Sequence, residues 1–144
     1  MFDVIVIGGG MIGLAFALEL SQKKNCSIAI IEPNTCNPPI NDLFHTRVSA
    51  ITPSSHEYLV SLNIWNNIKR KKAFVATKVW DQNSHGHLNF HAEAEGMDQL
   101  GFIVENDLIQ SALFEAIDSS KTKIINAKLD SLLKTDIGYM LTLD

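Results

Sequence analysis

The chain has little that would tie it to a disulfide framework, a nucleic acid or a membrane span. Only two of its 144 residues are cysteine, and Cys26 and Cys36 form no C-x-x-C pair. They lie on either side of a strand and loop, so a reducing cytoplasm is the simplest compartment. Basic residues are not in excess: twelve Lys and Arg stand against sixteen Asp and Glu, a net charge of −4, which removes the electrostatic case for a nucleic-acid partner. The basic cluster Lys69-Arg70-Lys71-Lys72 reads as a solvated helix end favoured by the helix dipole. Repeats, low-complexity tracts and long linkers are absent. So are G-x-S-x-G, H-E-x-x-H and a P-loop lysine, which leaves hydrolase chemistry without support. The apolar run from Val4 to Leu18 is too short to span a bilayer, is flanked by Asp3 and Glu19, and lacks a basic leader, so it reads as neither a membrane span nor a signal peptide. At this length the chain buries one core and is expected to be one folded unit.

What is present is concentrated in the first thirty-two residues. Val4-Ile5-Val6-Ile7 reads as a buried strand, and Gly8, Gly10 and Gly13 fit G-x-G-x-x-G. After an apolar helical stretch, Ser27-Ile28-Ala29-Ile30-Ile31 reads as a second strand ending at Glu32, nineteen residues past Gly13. This is the pattern of a nucleotide-binding βαβ unit. Gly8 permits the tight turn, Gly10 lets the backbone approach a pyrophosphate, and Gly13, with Ala17 one turn on, lets the helix pack close to the sheet. The helix N-terminus at Met11 and Ile12 then faces the phosphates with unpaired N–H groups and a positive dipole end. A carboxylate at Glu32 can accept ribose hydroxyls and would repel a 2′-phosphate, which favours FAD or NAD over NADP. A glycine-rich turn without a ligand would not need the two strands and the terminal acid to agree.

Further along, Pro33 to Thr46 reads as an irregular loop. Thr52 and Pro53 open a helix as N-cap and first helical residue, Leu59 and Leu62 set its inner face, and Asn63 is its left-handed C-cap. Thr77–Asp81 and His87–Phe90 read as a hairpin around Asn83-Ser84-His85-Gly86. Leu100–Val104 is a strand, and Asn106 caps a helix with Leu108, Ile109, Ala112, Leu113, Ala116 and Ile117 at helical spacing. Lys123–Ala127 resumes the parallel sheet, and Leu129–Leu133 and Tyr139–Leu143 form an antiparallel hairpin. The chain stops directly after that strand, the expectation for a fragment.

His85, His87 and His91 share strand parity, but parity alone does not converge three imidazoles on one ion, so an exposed polar face is expected. Trp65 and Trp80 are read as packing residues. Arg47 follows the irregular loop and precedes the apolar stretch Val48-Ser49-Ala50-Ile51, so a fixed guanidinium there can clamp a pyrophosphate, against the alternative of a surface salt bridge.

Gly8 to Gly13, Arg47 to Ile51, Leu62 to Trp65, Val79-Trp80-Asp81 and Leu100 to Asn106, in that order, resemble the FAD-dependent aromatic hydroxylases of ubiquinone biosynthesis. These belong to the p-hydroxybenzoate hydroxylase-like class of flavoprotein monooxygenases. With Ser84 to His87 and Phe90 added, the resemblance is greatest to the VisC-type 2-octaprenylphenol hydroxylases. It implies an α/β fold: the N-terminal part, residues 1–144, of a Rossmann-like FAD-binding domain with antiparallel hairpin additions. It also implies that Gly8, Gly10, Met11, Ile12 and Gly13 surround the FAD pyrophosphate, that Glu32 holds the adenosine ribose, and that Arg47 lies near the phosphates. Glu105 would lie near the ribityl chain and the backbone at Leu129 near adenine. Asn63 departs from the family's usual glycine.

The family's Asp-Gly and Gly-Asp-Ala-x-His segments do not occur here, so the flavin and substrate sites would be incomplete, with no catalytic side chain or metal in this segment. The implied reaction consumes NAD(P)H and dioxygen to hydroxylate a prenylated phenol. The implied location is the cytoplasm, with peripheral association at the inner membrane or in a ubiquinone-biosynthesis complex. The rivals are a reductase or oxidase of the same fold and a non-catalytic lipid- or protein-binding module.

Overall fold

The computed structural model describes every residue except Asn41 and Ser84; Ser84, in the expected hairpin turn, and Asn41, in the expected loop, lie outside the described residues. The chain divides into two compact units, Met1–Ile40 with Ile109–Asp144, and Asn41–Leu108.

In the first unit, strand β1 (Val4–Ile7), helix α1 (Met11–Lys23) and strand β2 (Ile28–Ile31) form the expected βαβ unit. β1 and β2 pair in parallel from Val4↔Ile28 to Ile7↔Ile31, and Asp3 joins their starts by accepting the Ser27 N–H and hydroxyl, both at 2.7 Å. β2 is fully buried, as an inner strand of a parallel sheet should be, because its other side pairs with β8 (Thr122–Ile125). β1 departs from the sequence reading: Val4 to Val6 are half-buried and Ile7 is 53% exposed. Among the described residues it has only β2 as a ladder partner, and composition does not distinguish an edge strand from an inner one. Leu14, Ala17 and Leu18 of α1 complete the core with Ile28 to Ile31. β9 (Leu129–Thr135) and β10 (Gly138–Leu143) pair antiparallel, as expected.

In the second unit, β3 (Val48–Ile51), β7 (Gly101–Glu105) and β4 (Lys71–Phe74) form an antiparallel sheet in the order β3-β7-β4. Helix α2 (Pro53–Ser61) begins where sequence predicts, with Thr52 Oγ1 accepting the Ser55 N–H at 3.4 Å. It ends in a Schellman motif: Asn63 has φ 61°, its N–H donates to Val60 O, and the Ile64 N–H donates to Leu59 O. Asparagine tolerates that left-handed backbone where most residues do not. His56, Trp65 and Phe102 meet ring to ring at centroid distances of 4.4–5.1 Å.

The ribbon β5 (Ala76–Trp80) and β6 (His87–His91) is the expected hairpin. His85, His87 and His91 are exposed. Trp80 is also 73% exposed, which corrects its reading as a packing residue, whereas Trp65 is buried. The basic cluster is corrected too: Lys71 and Lys72 lie in β4, and Lys71 Nζ donates to the Trp65 and Ile68 carbonyls at 3.2 and 2.7 Å. Helix α3 (Asn106–Ala116) runs from the second unit into the first. Asn106 is its first helical residue, with its side-chain oxygen taken by the Ser49 hydroxyl at 2.7 Å, so it serves β3 instead of capping the helix.

Candidate functional site

The glycine loop follows β1. Gly8 has φ +103°, a conformation open to glycine, and its N–H extends the ladder by donating to Ile31 O at 2.9 Å. Gly9, the variable position of the motif, is the most constrained residue of the loop. Its N–H donates to Glu32 Oε2 at 2.8 Å and its carbonyl accepts from Gln110 Nε2 at 3.2 Å. A Cβ on Gly9 would lie 2.3 Å from Cys36 Sγ.

Gly10 caps α1 with an extended backbone, and its carbonyl accepts the Leu14 N–H at 3.0 Å. No side chain caps this helix and no acid stands in its first turn. Among the described residues nothing accepts the N–H groups of Gly10, Met11 or Ile12, and a Cβ on Gly10 would meet nothing within 4 Å. Gly13 is the opposite case, since a Cβ there would lie 2.0 Å from Gly8 O. One glycine keeps space open and the other permits close packing.

Glu32 follows β2, with its N–H on Ile125 O at 3.0 Å. Oε2 accepts from Gly9, while Oε1 accepts the Asn34 N–H at 2.9 Å and Asn34 Nδ2 at 3.2 Å. These bonds, the Gly9 one foremost, hold its carboxyl below the usual glutamate value, so it is an anion at neutral pH. A carboxylate offers about four acceptor positions. Three are filled, by Gly9 and twice by Asn34, which leaves room for one further donor. Asn126 Nδ2 braces the turn from β8 through the carbonyls of Glu32 and Pro33, at 3.3 and 3.0 Å. The buried Cys36 thiol is pushed above its ordinary pKa, first by burial and then by the Glu32 charge, which keeps it a neutral packing group.

Sequence reasoning missed Gln110, Asn34, Cys36 and Asn126. Only Asn34 left a trace, as a turn-forming asparagine directly after Pro33. Leu129, the remaining site residue of this unit, opens β9 in register with Leu143.

In the second unit, Arg47 is exposed and precedes β3. Its carbonyl accepts the Asn106 N–H at 3.1 Å and its own N–H donates to His45 Nδ1 at 3.3 Å. Its guanidinium forms no ion pair among the described residues. Glu105 is buried at the end of β7. It accepts from Arg70 through both oxygens, at 2.8 and 3.0 Å, and from the His45 N–H at 2.7 Å. The Arg70 hydrogen bonds, first among its contacts, hold its carboxyl below the usual glutamate value.

Because that pKa is lowered in the folded state, the ionised group's contribution to stability is complete above the unfolded value and lost as pH falls through the folded one. Melting temperatures of Glu105→Gln should therefore fall less steeply than those of the native chain from about pH 5 to about pH 3. Equal slopes would assign the acid sensitivity to Asp3, Glu32 and Asp118, whose pKa values are also lowered.

No protein-family model matches the chain. Among solved structures, pqsL of Pseudomonas aeruginosa, described as a probable FAD-dependent monooxygenase, superposes with a TM-score of 0.68 at 12% identity, over 99% of this chain and 38% of that one. The chain therefore shares the mixed α/β fold of part of that structure. In sequence, the mitochondrial ubiquinone biosynthesis monooxygenase COQ6 of Mus musculus is 32% identical over 131 residues, which cover 86% of this chain. The 3-demethoxyubiquinol 3-hydroxylase of Escherichia coli K12 is 29% identical over 120 residues and 81% of this chain. The chain spans 27% of the length of the first relative and 30% of the second.

Proposed function

We propose that the chain is the nucleotide-binding part of an FAD-dependent monooxygenase that hydroxylates the aromatic ring of a polyprenylphenol in ubiquinone biosynthesis, with a 2-octaprenylphenol-like substrate. The observation that carries the proposal is the open glycine cradle tied to an ionised Glu32, in a chain similar over most of its length to ubiquinone biosynthesis monooxygenases. The cradle suits a dinucleotide: the N–H groups of Gly10, Met11 and Ile12 would take the pyrophosphate, Gly8 and Gly13 would shape the turn, and Glu32 would take the adenosine ribose. Arg47 would clamp the pyrophosphate, Glu105 would lie by the ribityl chain, and the backbone at Leu129 would lie against adenine. When bound, FAD supplies the redox and oxygen-transfer chemistry, with NAD(P)H as reductant and dioxygen as oxidant. The residues of this chain bind and orient it.

No helix among the described residues is long and apolar enough to cross a membrane. The proposed setting is cytoplasmic, with peripheral contact at the membrane that carries the prenylated substrate.

Titration of the chain with FAD, followed by quenching of flavin fluorescence, should show saturable binding. A protein of the relatives' full length that carries this segment should convert a prenylphenol to its hydroxylated product with NAD(P)H and oxygen, by mass spectrometry. Absence of FAD binding, or FAD binding with every prenylphenol unmodified, would overturn the proposal. Charge-assisted hydrogen bonds contribute about 1.5–3 kcal/mol, so Arg47→Ala should weaken FAD binding by roughly tenfold to a hundredfold. Unchanged affinity with a collapsed melting temperature would instead make Arg47 a folding residue.

A further inference from the structure

A loop of three consecutive glycines has a wide choice of backbone conformations, so side chains outside it must select the one that receives a ligand. Two peptide planes matter. The Gly8–Gly9 plane is fixed by the Glu32 bond to the Gly9 N–H, and its carbonyl faces Gly13. The Gly9–Gly10 plane is held through its carbonyl by Gln110 Nε2 of α3, at 3.2 Å. No peptide bond among the described residues is cis, and in a trans peptide the carbonyl and the following N–H point in opposite directions. Anchoring Gly9 O on α3 therefore aims the Gly10 N–H away from α3. That N–H has no acceptor among the described residues. Rotation of the same plane would turn the Gly9 carbonyl oxygen toward the phosphate position, where it repels an anion.

We infer that Gln110 is a positioning residue of the dinucleotide site, holding the Gly9–Gly10 peptide so that the Gly10 N–H meets the pyrophosphate. This rests on the FAD reading of the glycine loop. Cys36 supports the same geometry by closing the space beside the Gly9 α-carbon, where a Cβ would lie 2.3 Å from its Sγ. Gln110 touches no ligand in this scheme and acts through the backbone.

The test compares the native chain with Gln110→Ala and Gln110→Glu. Loss of one neutral hydrogen bond predicts FAD binding roughly threefold to tenfold weaker in Gln110→Ala. Gln110→Glu should lose more, because an ionised carboxylate cannot donate to Gly9 O and brings negative charge toward the phosphates. Adenosine, which has no pyrophosphate, should bind all three proteins alike in NMR titrations. Without ligand, the Gly10 amide resonance should shift and its hydrogen exchange should quicken in both variants, while resonances of β8 stay in place. Equal losses for FAD and adenosine would reduce Gln110 to a fold contact, and unchanged FAD affinity or an unmoved Gly10 amide would overturn the inference. If native protein fails to bind FAD while the Gly10 amide still responds, the tether stands as a backbone device but the cofactor reading falls, and the pyrophosphate role with it.

Discussion

Gly10→Val should abolish FAD binding, by at least about a hundredfold, and leave the melting temperature nearly unchanged. The two halves of that result have separate causes. A Cβ at Gly10 meets nothing within 4 Å, so the isopropyl group enters open space and not the core. The Gly10 backbone, at φ −74° and ψ −178°, is extended, a region that β-branched residues adopt readily. Folding therefore has little reason to suffer. The open space is, however, where the pyrophosphate would approach the N–H groups of Gly10, Met11 and Ile12. Filling it forfeits several charge-assisted hydrogen bonds together with the favourable helix end. Flavin titration beside thermal melting reads both quantities on one preparation. A valine variant that binds FAD as the native chain does would remove the pyrophosphate from this loop.

The βαβ unit was legible because its signals are local. Strand composition, the glycine spacing and the acid at position 32 lie within one supersecondary motif and agree with one another. The caps of α2 were equally local, and Thr52, Pro53 and Asn63 sit where their side chains and backbone preferences demand. What sequence could not supply is pairing at long separation. β4 carries Lys71 and Lys72 at its start and reads as a charged helix end until its register with Val104 and Ile103 is known. Glu105 meets Arg70 from thirty-five positions away, and Gln110 meets Gly9 across 101. Burial behaves the same way: Val4 to Ile7 and Ile28 to Ile31 have nearly the same composition, yet among the described residues β2 has a strand on each side and β1 on one. In the site, the residues that a ligand would touch were visible as a motif. The residues that hold the motif in shape were not, because any polar side chain of suitable reach could fill their role.

Gly13→Ala should do the reverse of Gly10→Val and damage the fold first. The added methyl would lie 2.0 Å from Gly8 O, 3.1 Å from Gly8 C and 3.3 Å from Val6 Cγ1. The nearest atom is a backbone carbonyl and not the free end of a side chain. It cannot swing aside without cost, since the same peptide plane carries the Gly9 N–H held by Glu32, and the Gly8 N–H is held in the ladder by Ile31. Relief requires α1 to lift from β1, which separates Leu14, Ala17 and Leu18 from the core they share with β2. Overpacking of this kind costs about 2–3 kcal/mol, a fall in melting temperature on the order of 10 °C for a chain of this size. FAD affinity should fall as a consequence, because the Gly10 and Met11 N–H groups move with the helix. Saturating FAD should recover part of the lost temperature in Gly13→Ala and none in Gly10→Val, whose binding is gone. A Gly13→Ala protein that melts with the native chain would show that helix and strand do not need this approach, and the third glycine would then have to be explained by the ligand alone.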